Sequence, residues 1–227
     1  MEELNMRKII GAAFVSLDGV MQGPGGTTED PTGGFKYSGW LAPIGDGDEV
    51  IGKIGELFNR PFDLLLGRRT YDIFAAFWPY AEGNEKPMGE MFDRVRKYVV
   101  THGEKPLTWQ NSERLKSIEA IARVKNGDGP DLIIQGSSTL YPPLLAAGLI
   151  DRLILMTFPV VLGSGKRLFG EHTPAGTLRM IDHVVSPRGN IIATYEAAGA
   201  VKTGSFASPE PSKAEIARRK AMADGTW

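Results

Sequence analysis

The stretch 131–155, DLIIQGSSTLYPPLLAAGLIDRLIL, decides the fold. Residues 131–135 are a short apolar run that reads as a buried strand. Gly136 ends it. A helix is expected from about Ser138 to Ala147, with Gly148 as its C-terminal cap. Pro142 and Pro143 fall near the start of that helix, where a missing N–H costs least. Residues 150–158 form a second apolar run, again a strand. Strand, glycine turn, short helix and strand in succession point to a parallel α/β sheet.

The same alternation extends in both directions. Residues 8–15, KIIGAAFV, read as a central strand running into the turn Ser16-Leu17-Asp18-Gly19. Residues 63–66 and 97–101 read as further strands. Helices are expected over 48–59, with Asp46 or Asp48 as its cap, and over 69–77, ended by Trp78-Pro79. Residues 112–125 carry Leu115, Ile118, Ile121 and Ala122 on one face and read as one amphipathic helix, stopped by Gly127 and Gly129. Residues 178–185 and 191–196 read as a closing strand pair around the turn-rich 186–190. The expected fold is α/β, three-layered, with a mostly parallel central sheet and an antiparallel C-terminal edge. A domain over 1–200 and a tail over 201–227, with a short helix at 212–223, are expected.

Composition narrows the function. The chain has 227 residues, 26 basic against 27 acidic, for a formal net charge of −1. That balance lacks the basic excess of a nucleic-acid binder. There is no cysteine, so a disulfide framework, a thiolate nucleophile and Cys-ligated metal sites are excluded. The three histidines, His102, His172 and His183, show no ligand spacing, and no metal site is expected. No segment approaches the ~20 apolar residues of a membrane helix. The first eight residues carry two glutamates and no basic n-region, so a cytoplasmic protein is expected. The 28 glycines and 15 prolines cluster in 19–47 and 159–176. A long glycine-rich loop from Leu17 to Gly45 is a functional or disordered element inside such a domain.

Several common assignments fail. PVVLGSGKRLF at 159–169 is not a phosphate-binding P-loop, because Arg167 follows Gly165-Lys166 and Val160 stands where the first glycine belongs. No G-x-G-x-x-G opens a helix after a strand, and there is no G-x-S-x-G elbow.

Three strand ends carry residues suited to gripping a nucleotide. Gly67-Arg68-Arg69-Thr70 joins a strand to a helix start, where free N–H groups, the helix dipole and two guanidinium groups favour phosphate. Thr101-His102-Gly103 ends another strand. Gln135-Gly136-Ser137-Ser138-Thr139 offers a glycine turn and three hydroxyls. Each also has a plainer reading: a solvated arginine pair, a surface histidine, a serine helix cap. Ligands of parallel sheets bind beyond the carboxyl ends of the strands, so together the three would form one anion-tolerant groove.

The set VSLDG at 15–19, LLLGRRTYDIF at 64–74, the stretch at 131–155 and PVVLGSGKRLF at 159–169 resembles the dihydrofolate-reductase-like superfamily. Within it the chain is similar to the reductase domain of the bacterial riboflavin-biosynthesis deaminase-reductase RibD, over about residues 7–196. The resemblance implies an oxidoreductase that transfers a hydride from NADPH to a small heterocyclic or carbonyl-like substrate. It would be similar to 5-amino-6-(5-phosphoribosylamino)uracil reductase or dihydrofolate reductase. The resemblance also implies that Gly67, Arg68, Arg69 and Thr70 hold phosphate and that Thr101 and His102 lie at the adenosine 2′-phosphate. Gln135, Gly136, Ser137, Ser138 and Thr139 would then hold the pyrophosphate. A homodimer is implied too.

The substrate side departs from the pattern. Trp40-Leu41-Ala42-Pro43 has the W-x-x-P spacing that precedes the pterin-binding acid, but Gly45 stands at the acid's position. Asp46 and Asp48 are the nearest carboxylates; either binds a heterocycle's N–H edge or merely caps the helix. The related domains carry lysine at the position of Ala12 and glutamate at that of Gln135. Asp18 is the remaining acid near the nicotinamide end: it points into the pocket or bonds its own turn. Trp40 and Phe35, with Tyr37, form an aromatic wall over a flat substrate or belong to the core. A nucleotide-binding module without turnover, or an interaction protein with structural glycine turns, is the alternative to an enzyme.

Overall fold

The computed structural model describes residues 6–44, 48–206 and 210–227; for 48–51 only the backbone is described. Eight strands form one sheet: β1 (Ile9–Ser16), β2 (Phe62–Gly67), β3 (Lys97–Val100), β4 (Ser112–Leu115), β5 (Asp131–Gln135), β6 (Arg152–Phe158), β7 (Leu178–Val185) and β8 (Ile191–Ala197). Their order across the sheet is β4-β3-β2-β5-β1-β6-β8-β7. β4 through β6 run parallel. β8 is antiparallel to both β6 and β7. The expected architecture is therefore the observed one.

The helices are α1 (Asp48–Phe58), α2 (Arg68–Phe77), α3 (Lys86–Arg94), α4 (Ile118–Lys125), α5 (Tyr141–Ala146) and α6 (Lys213–Ala223). Two elements differ from expectation. The single helix read over 112–125 is a strand followed by a helix. Ser112–Leu115 pairs with β3 as β4, and Ser117 then caps α4 by accepting from the Ala120 N–H at 3.2 Å. Apolar spacing in so short a run does not separate strand from helix, and the pairing with β3 decides. α3 was not expected. It packs so closely on the turn before it that a side chain at Gly89 would come within 2.5 Å of the Trp78 carbonyl oxygen.

β2, FDLLLG, is buried along its whole length, as a central parallel strand must be when both faces are covered. On one face Leu64, Leu66, Ile133 and Met156 pack with Phe58, Phe62, Tyr71 and Phe92 and with Val20, Phe35 and Trp40 of the long loop. On the other, Leu65, Leu132, Ile134 and Leu153 meet Ile121, Tyr141 and Leu144 of α4 and α5. After β8 the chain is exposed over 201–206, and α6 buries no residue.

Arg7 and Lys97 are two of the charges buried at the amino ends of the strands. Arg7 pairs with Asp63 at 2.5 Å and donates to the Pro130 carbonyl at 2.6 Å, tying the segment before β1 to β2 and β5. Lys97 is fully buried. Its ammonium donates to the carbonyls of Asp93 (2.9 Å) and Gln110 (3.0 Å) and lies 4.3 Å from the Trp109 ring centre. Burial lowers the Lys97 pKa from 10.5 to about 8, against the opposing pull of Asp93. The unfolded chain then holds more protons between those two values, so stability rises with pH across that window. Urea midpoints at about pH 7 and about pH 10 should show this rise, and Lys97→Met should abolish it while costing about 1–3 kcal/mol at pH 7 through the two orphaned carbonyls.

Candidate cofactor-binding groove

Three of the strand ends singled out in the sequence belong to adjacent parallel strands, β3, β2 and β5, and β1 lies next to β5. Thr101-His102, Gly67–Thr70, Gln135–Thr139 and Asp18 thus succeed one another along a single edge of the sheet. Parallel sheets bind their ligands at this carboxyl edge.

The β2 and β5 ends are bonded to each other. The Gly67 N–H donates to Ser137 Oγ at 2.9 Å, and the Ser137 N–H donates to Thr70 Oγ1 at 3.0 Å. Ser137 is buried and left-handed (φ 59, ψ 52), and Gly136 before it has φ +68. A side chain at Gly136 would also press on Thr70 at 3.2 Å. The two turns are therefore fixed against each other at the edge. Thr139 is exposed and Ser138 half-buried.

The basic residues lie toward β3 and β4. Arg68 pairs with Asp72 at 3.0 Å and donates to the carbonyls of Lys105 (2.7 Å) and Pro106 (3.2 Å). It thereby holds the loop after β3. Arg69 is exposed and has no ion-pair or hydrogen-bond partner among the described residues. Sequence reasoning missed Arg114. Its Nη2 shares the Lys105 carbonyl with Arg68 at 2.8 Å, and its Nη1 is buried with no partner among the described residues. The missed strand β4 is what brings it here. His102 is exposed, and Thr101 Oγ1 accepts from the Gly103 N–H at 3.2 Å.

The substrate side is built differently. Asp18 accepts from Ser16 Oγ (2.6 Å) and from the N–H groups of Leu162 (3.1 Å) and Gly163 (2.9 Å), and it lies 3.4 Å from Arg167. The Ser16 hydroxyl foremost, with these amides, holds its pKa down at about 2. Asp18 is therefore an anion at neutral pH and anchors the loop after β6. Lys166 likewise binds Asp30 and Thr32 of the long loop, and Gln22 donates to the Asp30 and Thr32 carbonyls. Trp40 and Phe35 lie in the core at 8% and 6% exposure, and Trp40 Nε1 donates to the Gln22 carbonyl at 2.9 Å. Tyr37 is the exposed aromatic of that loop. Asp46 lies outside the described residues, as does the Asp48 side chain.

Ala12 and Gln135, the two departures in the resemblance, are register partners across β1 and β5. No group of His, Asp and Glu among the described residues could hold a metal ion.

The sheet order and its glycine-turn edge define the chain as a dihydrofolate-reductase-like α/β protein. The family model of the RibD C-terminal domain matches residues 7–192, and the chain belongs to that family. An uncharacterized protein of Bacillus subtilis, YyaP, is 26% identical over 199 residues, covering 85% of this chain and 96% of its own. A putative riboflavin biosynthesis protein from Shewanella has a similar structure, with TM-score 0.62, 21% identity and coverage of 84% and 99%. Dihydrofolate reductase from Enterococcus faecalis, solved with NADP(H), gives TM-score 0.54 at 15% identity, with coverage of 84% and 96%. At these identities the two structures establish a shared fold.

Asp18→Asn exchanges one acceptor oxygen for a donor that faces backbone N–H groups. It is expected to cost about 1–2 kcal/mol, read as a fall of several degrees in Tm. Hydrogen exchange should speed up at Leu162 and Gly163 and stay unchanged in β2 and β5.

Proposed function

We infer that the protein is an NADPH-dependent reductase of a small heterocyclic or carbonyl-like substrate. The observation that carries this reading is the cross-bonded pair of turns, Gly67–Thr70 and Gly136–Thr139, with unpaired guanidinium N–H groups of Arg69 and Arg114 beside them. Glycine turns at two adjacent strand ends, with the hydroxyls of Ser138 and Thr139 beside them, suit a pyrophosphate. The free N–H donors toward β3 and β4 suit a further phosphate on the adenosine ribose. The residues present therefore fit the dinucleotide.

When bound, NADPH supplies the hydride. Gly67, Thr70, Gly136, Ser137, Ser138 and Thr139 hold its phosphates, and Arg68, Arg69, Thr101 and His102 hold its far end. Arg114 adds a donor there. Asp18 and Lys166 fix the loops that roof the nicotinamide end and shut out water. Trp40 and Phe35 back the substrate side from the core, and Asp46 stands as the candidate acid. We place the protein in the cytoplasm as a homodimer acting on a small molecule, with 1–200 as the catalytic domain and 201–227 as an appended tail; no described helix is long and apolar enough to cross a membrane.

A second reading, a nucleotide-binding module without turnover, draws on the engagement of Asp18 as an anchor. NADPH oxidation in the presence of candidate substrates separates the two.

Titration with NADPH and NADH, followed by tryptophan fluorescence and Tm, tests the reading, since a ligand of the folded state raises its stability. NADPH should bind more tightly than NADH. Arg68→Ala with Arg69→Ala should weaken NADPH by about 10- to 100-fold, the loss of one or two charge-assisted contacts, and leave NADH nearly unchanged. Absence of binding of either nucleotide at millimolar concentration would overturn it.

A further inference from the structure

The carboxamide of Gln135 is a polar group at the end of β5 whose acceptor oxygen the described residues leave unsatisfied. Its Oε1 is buried and has no hydrogen-bond partner among the described residues. Side chains alternate along a strand, and Ile134 belongs to the α4–α5 face. Gln135 therefore shares the opposite face with Ile133, where Ala12 is its register partner. Around it on that face stand Ala12, Phe14, Leu66 and Met156, all apolar. Ser137 Oγ and Thr70 Oγ1, the hydroxyls of the two turns, accept backbone N–H groups, and neither bonds Gln135. Buried amides are paired almost without exception, and one left open is costly.

The geometry points to Gln135 as a ligand-reading residue: its carboxamide pairs with a neutral amide edge, one acceptor and one donor, laid over the seam of β1 and β5. This rests on the groove being the dinucleotide and substrate site. Neutrality follows from the surroundings. The described residues of the cluster around it, Ala12, Phe14, Leu66 and Met156, carry no charge to offset the desolvation of a carboxylate or phosphate, so a charged group placed here would be penalised. An amide edge pairs with the carboxamide by two hydrogen bonds and brings no charge. Two sources offer that chemistry, the nicotinamide carboxamide and the lactam of a substrate ring.

Gln135→Met keeps the length and removes both polar atoms; Gln135→Glu keeps acceptors and removes the donor. Five probes separate the sources: NADPH, its 3-acetylpyridine analogue, adenosine 2′,5′-bisphosphate, and the neutral lactams uracil and pterin, the last two added to NADPH-loaded protein. If Gln135 reads nicotinamide, Gln135→Met weakens NADPH at least tenfold and the acetylpyridine analogue little. If it reads the substrate, the variant weakens uracil or pterin tenfold and leaves NADPH unchanged. In both cases the bisphosphate binds as in the wild type, Tm does not fall, and Gln135→Glu fails to restore binding. Unchanged affinity for every probe overturns the inference. So does a lowered Tm with all probes weakened alike, which marks a structural role. Should the wild type bind neither NADPH nor the bisphosphate, the reductase reading fails, and lactam binding to the free protein, lost in Gln135→Met, decides Gln135 alone; no lactam binding overturns it too.

Discussion

Two hydrogen bonds hold the functional edge of this sheet in shape: Gly67 N–H to Ser137 Oγ, and Ser137 N–H to Thr70 Oγ1. They run between the ends of neighbouring strands, so each turn is the template of the other. They require a left-handed serine, reached through a glycine with positive φ. A left-handed non-glycine residue is uncommon, and the reciprocal bonds are what keep it there. Together they fix the end of β2, where α2 begins, against the turn after β5.

Much of the fold was legible in the sequence because its signals are local. Short apolar runs such as 64–66 and 132–134, each closed by a glycine within two residues, read as buried central strands, and the glycines mark the turns. What stayed hidden depends on contacts distant along the chain. Ser112–Leu115 has no strand signal of its own and becomes β4 only by pairing with β3. α3 packs through Phe92 into an aromatic cluster, with rings of Phe58, Phe62, Phe74 and Trp78 within 5.0–6.1 Å, and that cluster is visible only in three dimensions.

The candidate site divides the same way. Glycine turns and arginines next to strand ends are sequence motifs, so the candidate residues at the ends of β2, β3 and β5 could be named from the sequence and do fall along one edge of the sheet. Arg114 could not, since its place depends on β4. On the substrate side the chemistry depends on which polar groups are already spoken for. Asp18 reads identically in sequence whether it faces a ligand or an amide pair; the structure shows it holding Leu162 and Gly163. Gln135 is the reverse case, a residue the sequence marks as a candidate but whose lack of a partner among the described residues only the packed structure exposes.

The long loop after β1 carries a further consequence. It is pinned to the loop after β6 at Asp18, at Met21 through the Lys166 carbonyl, and at Asp30, and internally at Trp40. In polymer terms it is several short arcs, none much longer than ten residues. Closing a loop costs entropy only logarithmically in its length, roughly 0.6 kcal/mol per doubling. Each arc can therefore lengthen or shorten on its own at little expense while its pins hold. The loop is built so that its outline can be redrawn, at the exposed stretch around Thr27-Thr28 or 33–34, while the pins hold the rest of it in place.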